Sequence, residues 1–322
     1  MSCSPENEKL NWTMWSETFR NSIDDEAQFT DDHEDNFCRI IPIISQHIHL
    51  VTREYAARSY PLSDIEVHLH DIWYACIQAG RHIWGSTAEP NTLVVALASL
   101  KVTGPLLRPS QRLPDSGDAK ESVTFSDNRE FWSDLPLFAG SLVDEFTHRF
   151  HQPDYGAGYC FNLATFVGRL LSVGIFDGPA ICVLSLFRET LEVSHPLSET
   201  DEDAEQIEAS AAKRIPTFED RLYTLGETIR LARTSLVILV SNRATTDKID
   251  YTDFPQLSSL GELALKAGID PSSTLGYSRE RWNFWIQRLE ELQKSEIENI
   301  QIQARGCLGE MREPAEDTAL LL

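Results

Sequence analysis

FWSDLPLFAGSLVDEF, residues 131–146, is the densest run of aromatic, aliphatic and capping residues in this 322-residue chain. Phe131, Leu135, Phe138, Leu142 and Phe146 recur every three or four positions, and Trp132, Ala139 and Val143 widen the stripe. That spacing predicts a helix buried on most of its circumference. Pro136 interrupts it. A proline lacks the amide donor and crowds the carbonyl four residues back, and the residue before it, Leu135, disfavours the helical region. The expectation is a turn through Trp132 and a fresh helix starting near Pro136, with Ser133 and Asp134 placed as N-caps.

The same periodicity recurs on both sides. Residues 36–58 carry Ile40, Ile44, Ile48, Val51 and Tyr55 on one face. Residues 63–84 follow, with Ser63 and Glu66 in capping-box spacing and Ile65, Leu69, Ile72, Trp73, Cys76, Ile77, Gly80 and Trp84 inward. Shorter helices are predicted over 91–101 and 259–267, the latter with Ser259 and Glu262 as a second capping box. Residues 159–173 form a helix stopped by Gly174, and another runs from Gly178 to about Val193. Over 217–242, Leu222, Leu225, Ile229, Ala232, Leu236 and Leu239 alternate three and four apart, a seam suited to packing in a bundle. Ser278 caps one last long helix with Trp282, Trp285, Leu289, Leu292, Glu296 and Ile300 on its inner stripe. No stretch alternates with period two between turn signals. The class is therefore all-α: an irregular bundle of about ten helices without significant sheet. Residues 1–35 read as an acidic arm, 36–305 as a single helical domain with loops near 105–125 and 196–214, and 306–322 as a tail.

The formal charge is −22, from 50 acidic and 28 basic residues. A nucleic-acid binder needs a basic face, and an anionic membrane surface attracts the same, so both partner classes are disfavoured. The excess is local: residues 1–36 hold ten acids against two bases, and 198–210 hold six acids and no base. The six cysteines lack CxxC spacing, and most fall in apolar helical patterns, as reduced thiols used as small hydrophobes do. The N-terminus shows no basic and apolar leader pattern, and no apolar run is long enough to span a bilayer. These features predict an intracellular protein, cytoplasmic or nuclear.

Chemistry-bearing motifs are few. His47 with His49, and His68 with His70, are two-apart pairs on predicted helices, where such residues point in different directions, so no metal site is expected. HEDNF at 33–37 lacks the second histidine of a zinc-protease helix. YGAGYCF at 155–161 lacks the third glycine and the preceding strand of a dinucleotide loop. No phosphate-loop lysine or nucleophile elbow is present. Asp144 and His148 share a helix face, as an ordinary exposed ion pair does. Arg169, Arg188 and Arg281 are more informative, because each lies in or beside an apolar stripe. A semi-buried arginine needs carboxylates or carbonyls, and Asp134, Glu189 and Glu280 are the expected partners. The result is either an ion-pair network locking helices together or an anion-binding pocket between them, and the former is the commoner source of this pattern.

WSDLP at 132–136, NLATFVGRL at 162–170, LFRETLE at 186–192 and SRERWNFWIQRLEEL at 278–292 occur in that order. Together they resemble an uncharacterised family of ascomycete fungal proteins known only as a domain of unknown function, over roughly residues 64–304. The resemblance implies a helical fold in a fungal intracellular protein and carries over no catalytic residues.

The leading expectation is a soluble, non-catalytic, monomeric helical protein that acts by binding a protein partner, without cofactor or metal. Trp12, Trp15, Phe19 and Ile23 make an apolar stripe on the arm that must dock in a groove, on its own body or on a partner. The alternative is an enzyme or a binder of an anionic small molecule, with an interhelical pocket near Trp132, Trp282 and Trp285.

Overall fold

Helical periodicity governs nearly all of what the computed structural model describes, namely residues 5–32, 39–57, 61–109, 120–125, 128–152, 155–175, 177–196, 213–241, 254–271 and 276–318. The all-α class holds. The chain divides into two compact units, Met1–Leu142 and Val143–Leu322.

The first unit contains α1 (Pro5–Asp32), α2 (Ile40–Ala57), α3 (Leu62–His82) and α4 (Glu89–Thr103). A two-stranded antiparallel hairpin follows, β1 (Leu107–Pro109) and β2 (Lys120–Ser122), with Leu107 opposite Ser122. It sits in a stretch read as loop; residues 110–119 and 197–212, the centres of the two expected loops, lie outside the described residues. The boundary between the units falls within α5 (Phe138–Glu145). The second unit continues with a π-helical turn at Phe146–Phe150, then α6 (Ala157–Val173), α7 (Gly178–Phe187) and a second π-turn at Arg188–Glu192. After these come α8 (Phe218–Ser241), the short α9 (Pro255–Ser258) and α10 (Glu262–Lys266), α11 (Arg279–Leu292) and α12 (Glu298–Thr318).

In the second unit α8 is the axis, packed by α6 and α12. Its seam, Leu222, Leu225, Ile229, Ala232, Leu236 and Leu239, is buried throughout. Gly174 ends α6 in the left-handed conformation, φ 61°, and its amide donates to the Leu171 carbonyl. The long C-terminal helix expected from 278 onward is two helices. Glu296 would have faced inward; it is exposed, and the chain turns at 293–297 before α12 restarts with Ile300, Ala304, Cys307 and Met311 buried. Helix thus continues past residue 306, where a tail was expected. Cys76, Cys160, Cys182 and Cys307 are buried thiols outside any disulfide, and burial, with Glu310 and Glu227 adding to it against a backbone hydrogen bond, pushes the Cys307 thiol up to about 12. Among the described residues no helix is long and apolar enough to cross a membrane.

Two capping boxes are corrected. α3 starts one residue ahead of Ser63, after Pro61, and no side chain caps it. α10 starts at Glu262 behind Gly261, so Ser259 caps nothing. Ser278 does cap α11: its hydroxyl accepts from the Arg281 amide at 3.1 Å.

The run 131–137 is not helix. Trp132, Leu135 and Leu137 adopt positive φ of 68°, 46° and 67°, and α5 begins only at Phe138. L-residues with side chains this large resist that region, at a cost on the order of 1–3 kcal/mol each. The surroundings over-determine it. Trp73 Nε1 donates to the Pro136 carbonyl at 2.8 Å, and Trp132 Nε1 donates to Thr52 Oγ1 at 3.1 Å. Phe131 N donates to Val123 O at 3.0 Å, tying the run to the hairpin. Asp134 caps no helix; it reaches back and accepts from the Glu130 amide at 2.7 Å.

The arm is helix α1, and the first unit holds it against α3 and α2. Phe19, Ile23 and Ala27 are buried. Asp71 on α3 is fully buried, and its Oδ1 accepts from Ser16 Oγ at 2.9 Å and from Arg20 Nε at 2.6 Å. Asp24 accepts from the Tyr74 hydroxyl. Trp15 stacks on His47, centroids 4.5 Å apart at 18°, and meets the edge of His68 at 4.8 Å.

Burial holds His47 down to about 3, helped by the neighbouring His68, and burial holds His68 down to about 4 against the opposing pull of Asp71 and Asp64. Between those values and the ordinary 6.5 the unfolded chain binds more protons than the folded one, so stability rises with pH across that window and is lost as pH falls through it. Thermal melts from pH 7 to 4 should show a falling Tm, with a shallower slope in His47→Phe. Arg20→Ala should cost about 1–3 kcal/mol in chemical denaturation by leaving the buried Asp71 carboxylate short of a donor.

Candidate functional site

The polar centre of the second unit is assembled from three elements. The Ser278 cap starts α11 so that Arg281, in its first turn, and Trp285, one turn later, share its inner face. The π-turn at Arg188–Glu192 presents Glu192 inward. The segment before α10 supplies backbone. Glu192, Arg281 and Trp285 are all 0% exposed.

Every hydrogen-bonding position of the pair is taken. Arg281 Nε donates to Glu192 Oε1 at 2.5 Å, and Nη2 donates to Oε2 at 3.0 Å, a bidentate fork. Nη1 donates to the carbonyls of Ser258 at 2.7 Å and Gly276 at 3.1 Å, and Nη2 donates also to Ser259 O at 3.1 Å. Glu192 Oε1 accepts in addition from Trp285 Nε1 at 2.7 Å, and Oε2 from the Gly261 amide at 2.7 Å. The guanidinium fork has five N–H donors and a carboxylate about four acceptor sites, so neither has capacity left. A Cβ on Gly261 would lie 2.5 Å from Glu192 Cβ, so only glycine permits the approach.

Apolar packing closes the surroundings. Phe187 stacks on Trp285 at 4.2 Å, Trp282 lies 6.1 Å from both rings, and Tyr277 donates its hydroxyl to the Ala180 carbonyl at 2.8 Å. Arg188 belongs to the same neighbourhood: its Nε donates to Ser259 O at 3.0 Å, and it pairs with Glu189. Arg281 was expected to find Asp134, Glu189 or Glu280. Glu192 takes that place, while Glu280 is exposed and Asp134 belongs to the first unit.

The remaining candidates fall elsewhere. Arg169 lies on α6, where burial lowers its pKa with Arg230 adding to the effect and Glu227 opposing it. Trp132, 1% exposed, belongs to the first unit with Trp15, Phe19 and Ile23; the side chain of Trp12 and the segment HEDNF lie outside the described residues. Each His-x-His pair is split, with His47 and His68 buried and His49 and His70 exposed. In YGAGYCF, Gly156 takes φ 87° to start α6.

Sequence reasoning missed Glu192, Gly261 and a hydrogen bond between His151 and Ser185, Nε2 to Oγ at 2.7 Å. The one local signal for the first was the Ser278 cap, which fixes Arg281 inward and so requires a buried carboxylate somewhere.

Glu192→Gln should destabilise by about 3–5 kcal/mol, because it leaves a buried guanidinium uncompensated. Replacing both members, Glu192→Met with Arg281→Met, should cost less than the two single changes added together. Denaturant midpoints of the three variants test this.

A protein of Penicillium oxalicum (strain 114-2 / CGMCC 5302) named "Oxopyrrolidines biosynthesis cluster protein G" is 26% identical to the chain over 246 residues. The alignment covers 76% of this chain and 64% of that protein, so the chain spans less than two thirds of the relative's length. No solved structure matches. The resemblance read over roughly 64–304 is a match over residues 73–289 to the family described as protein of unknown function (DUF3632), a span that holds Glu192, Gly261, Arg281 and Trp285, and the chain belongs to that family.

Proposed function

We propose that this chain is a non-catalytic helical protein that works by docking a protein partner, and that the outer face of α4 receives it. The saturated centre of the second unit carries the first half of this reading. Where an interhelical site was the alternative, Trp282 and Trp285 are packed in, and all five donors of Arg281 are spent on Glu192 and three carbonyls. A group with no free valence cannot bind a substrate or move a proton.

The second half rests on α4. Its inner residues, Leu93, Val94, Leu97 and Leu100, are buried, yet two valines stand on its outer side among polar residues: Val95 is 62% exposed and Val102 87%. With Asn91 and Ala98 these lie at i, i+4, i+7 and i+11 on one stripe. Two exposed valines seven residues apart offer an apolar strip to a second packing partner. The matching occupant is an apolar helix face of another protein, laid along α4. A relative named for a biosynthesis cluster supports a working context in fungal small-molecule biosynthesis without requiring a chemical step of this chain.

Val95→Glu with Val102→Glu should leave Tm within a few degrees of wild type, since both side chains already face solvent, and should abolish recovery of the co-purifying partner from native cells. Sedimentation of the isolated chain separates this from self-association: a dimer lost in the double variant would mean that the partner is a second copy. Unchanged recovery of every co-purifying protein would sink the proposal.

A further inference from the structure

Four nitrogen-bearing side chains lie on elements that meet in the second unit, beside the Arg281 centre: His151 bonds Ser185, three residues before Arg188, and the His195 ring stacks on Phe218, three residues before Arg221. His151 follows the first π-turn, Arg188 opens the second, His195 lies just beyond it, and Arg221 sits in the first turns of α8. The charges of Arg221, Arg188 and His195 all act on His151, and Arg221 acts on His195 too. Two of the four are spoken for. Arg188 is spent on Glu189 and the Ser259 carbonyl. His195 Nε2 bonds the Glu189 carbonyl at 2.5 Å, and its ring stacks on Phe218 at 5.6 Å.

The other two have capacity left. His151 bonds Ser185 Oγ through Nε2, and its Nδ1 is buried with no partner among the described residues. The guanidinium of Arg221 makes no ion pair or hydrogen bond among the described residues, although the side chain is partly buried. The carboxylates beside it in sequence are engaged. Asp220 forks with Arg214 at 2.5 Å and accepts from the Thr217 amide at 2.8 Å, while Glu219 accepts from Asn299 Nδ2 at 3.1 Å. Glu145 accepts from Tyr155 and pairs with Arg149. A chain with 50 acidic and 28 basic residues has carboxylates to spare, yet among the described residues none pairs with this arginine. It lies at the N-terminal end of a 24-residue helix, whose aligned amides add to the positive potential.

We propose that Arg221 and His151 form a binding site for the oxyanion of a small molecule, a carboxylate or a phosphate, with Ser185 and Arg188 as positioning residues. Arg221 offers its planar fork to two oxygens of the anion. With Ser185 as the donor to His151 Nε2, the proton of the neutral ring sits on Nδ1 and is available to the ligand. Burial, with Arg221 and Arg188 adding to it, holds His151 down to about 3, so the ring stays neutral at physiological pH and donates without needing a charge. The 2.7 Å contact also has the spacing of a nucleophile and its base. Ser185 is 1% exposed, however, and no third group among the described residues orients Nδ1, so the pair reads as recognition rather than catalysis.

The test uses the full chain, titrated separately with inorganic phosphate and with succinate at constant ionic strength set by chloride. Long-range ¹H–¹⁵N spectra of the imidazoles give the readout. His151 nitrogens should shift saturably with one or both probes, while the exposed His49 should not. Arg221→Gln should weaken binding about tenfold to a hundredfold, the loss of a charged hydrogen-bonding partner. Arg279→Gln, an exposed arginine elsewhere, should bind as wild type does. Arg221→Lys, which retains the charge but not the fork, should weaken binding less than Arg221→Gln and serves as the measured variant if the latter fails to fold. Saturation by phosphate alone, or by succinate alone, assigns the ligand's acidic group. A response that chloride reproduces, or equal affinity in wild type and the folded Arg221 variants, overturns the proposal.

Discussion

The buried pair of Glu192 and Arg281 is the constraint around which the second unit is arranged. Two opposite charges removed from water lose solvation worth several kcal/mol each, and their attraction recovers it only if every remaining donor and acceptor is met. Here the requirement reaches into the backbone: the carbonyls of Ser258, Ser259 and Gly276 and the amide of Gly261 are all enlisted. Irregular chain between short helices is thereby fixed in one conformation, which apolar packing alone would not specify. The helix cap at Ser278, the glycine at 261 and the indole of Trp285 each serve the same pair of side chains.

The first unit solves a similar problem with less burial. Asp71 lies fully inside, and its ionic partner Arg20 comes from α1 with nearly half its side chain in solvent. One end of the interaction is therefore dry and the other wet, and it fixes the register of α1 on α3 more than it stabilises the contact. The stack of Trp15 on His47 adds apolar area at the same place, and it keeps the imidazole neutral by excluding water.

Where one physical rule acts alone, the chain was readable. The stripes of α2, α3, α6 and α8 follow the 3.6-residue period, and their predicted inward residues are buried, except Ile48, which is half-buried while His47 lies inside, and Trp84, which falls past the end of α3 and is exposed. Failures came where two rules compete. In 131–137 the spacing of Phe131, Leu135 and Phe138 mimics a helix, and the three are indeed buried, yet the backbone passes through left-handed turns that long-range hydrogen bonds from Trp73 and to Val123 enforce. After Leu292 the next member of the expected stripe is the charged Glu296, and the helix ends before reaching it, leaving that side chain in solvent. The candidate site was half legible. Arg188, Arg281, Trp282 and Trp285 do share a neighbourhood, but their central carboxylate was hidden, because the π-turn rotates Glu192 away from where an α-helix would place it.

That π-turn has a consequence for how the chain can vary in length. It holds one residue more per turn than an α-helix does. Removing a single residue between Arg188 and Glu192 would restore regular winding and swing the carboxylate by about 100° around the axis. Surface connections can lengthen at small entropic cost. These five residues cannot: they act as a spacer of fixed count, and a one-residue deletion here would be felt as the loss of a charge from the core.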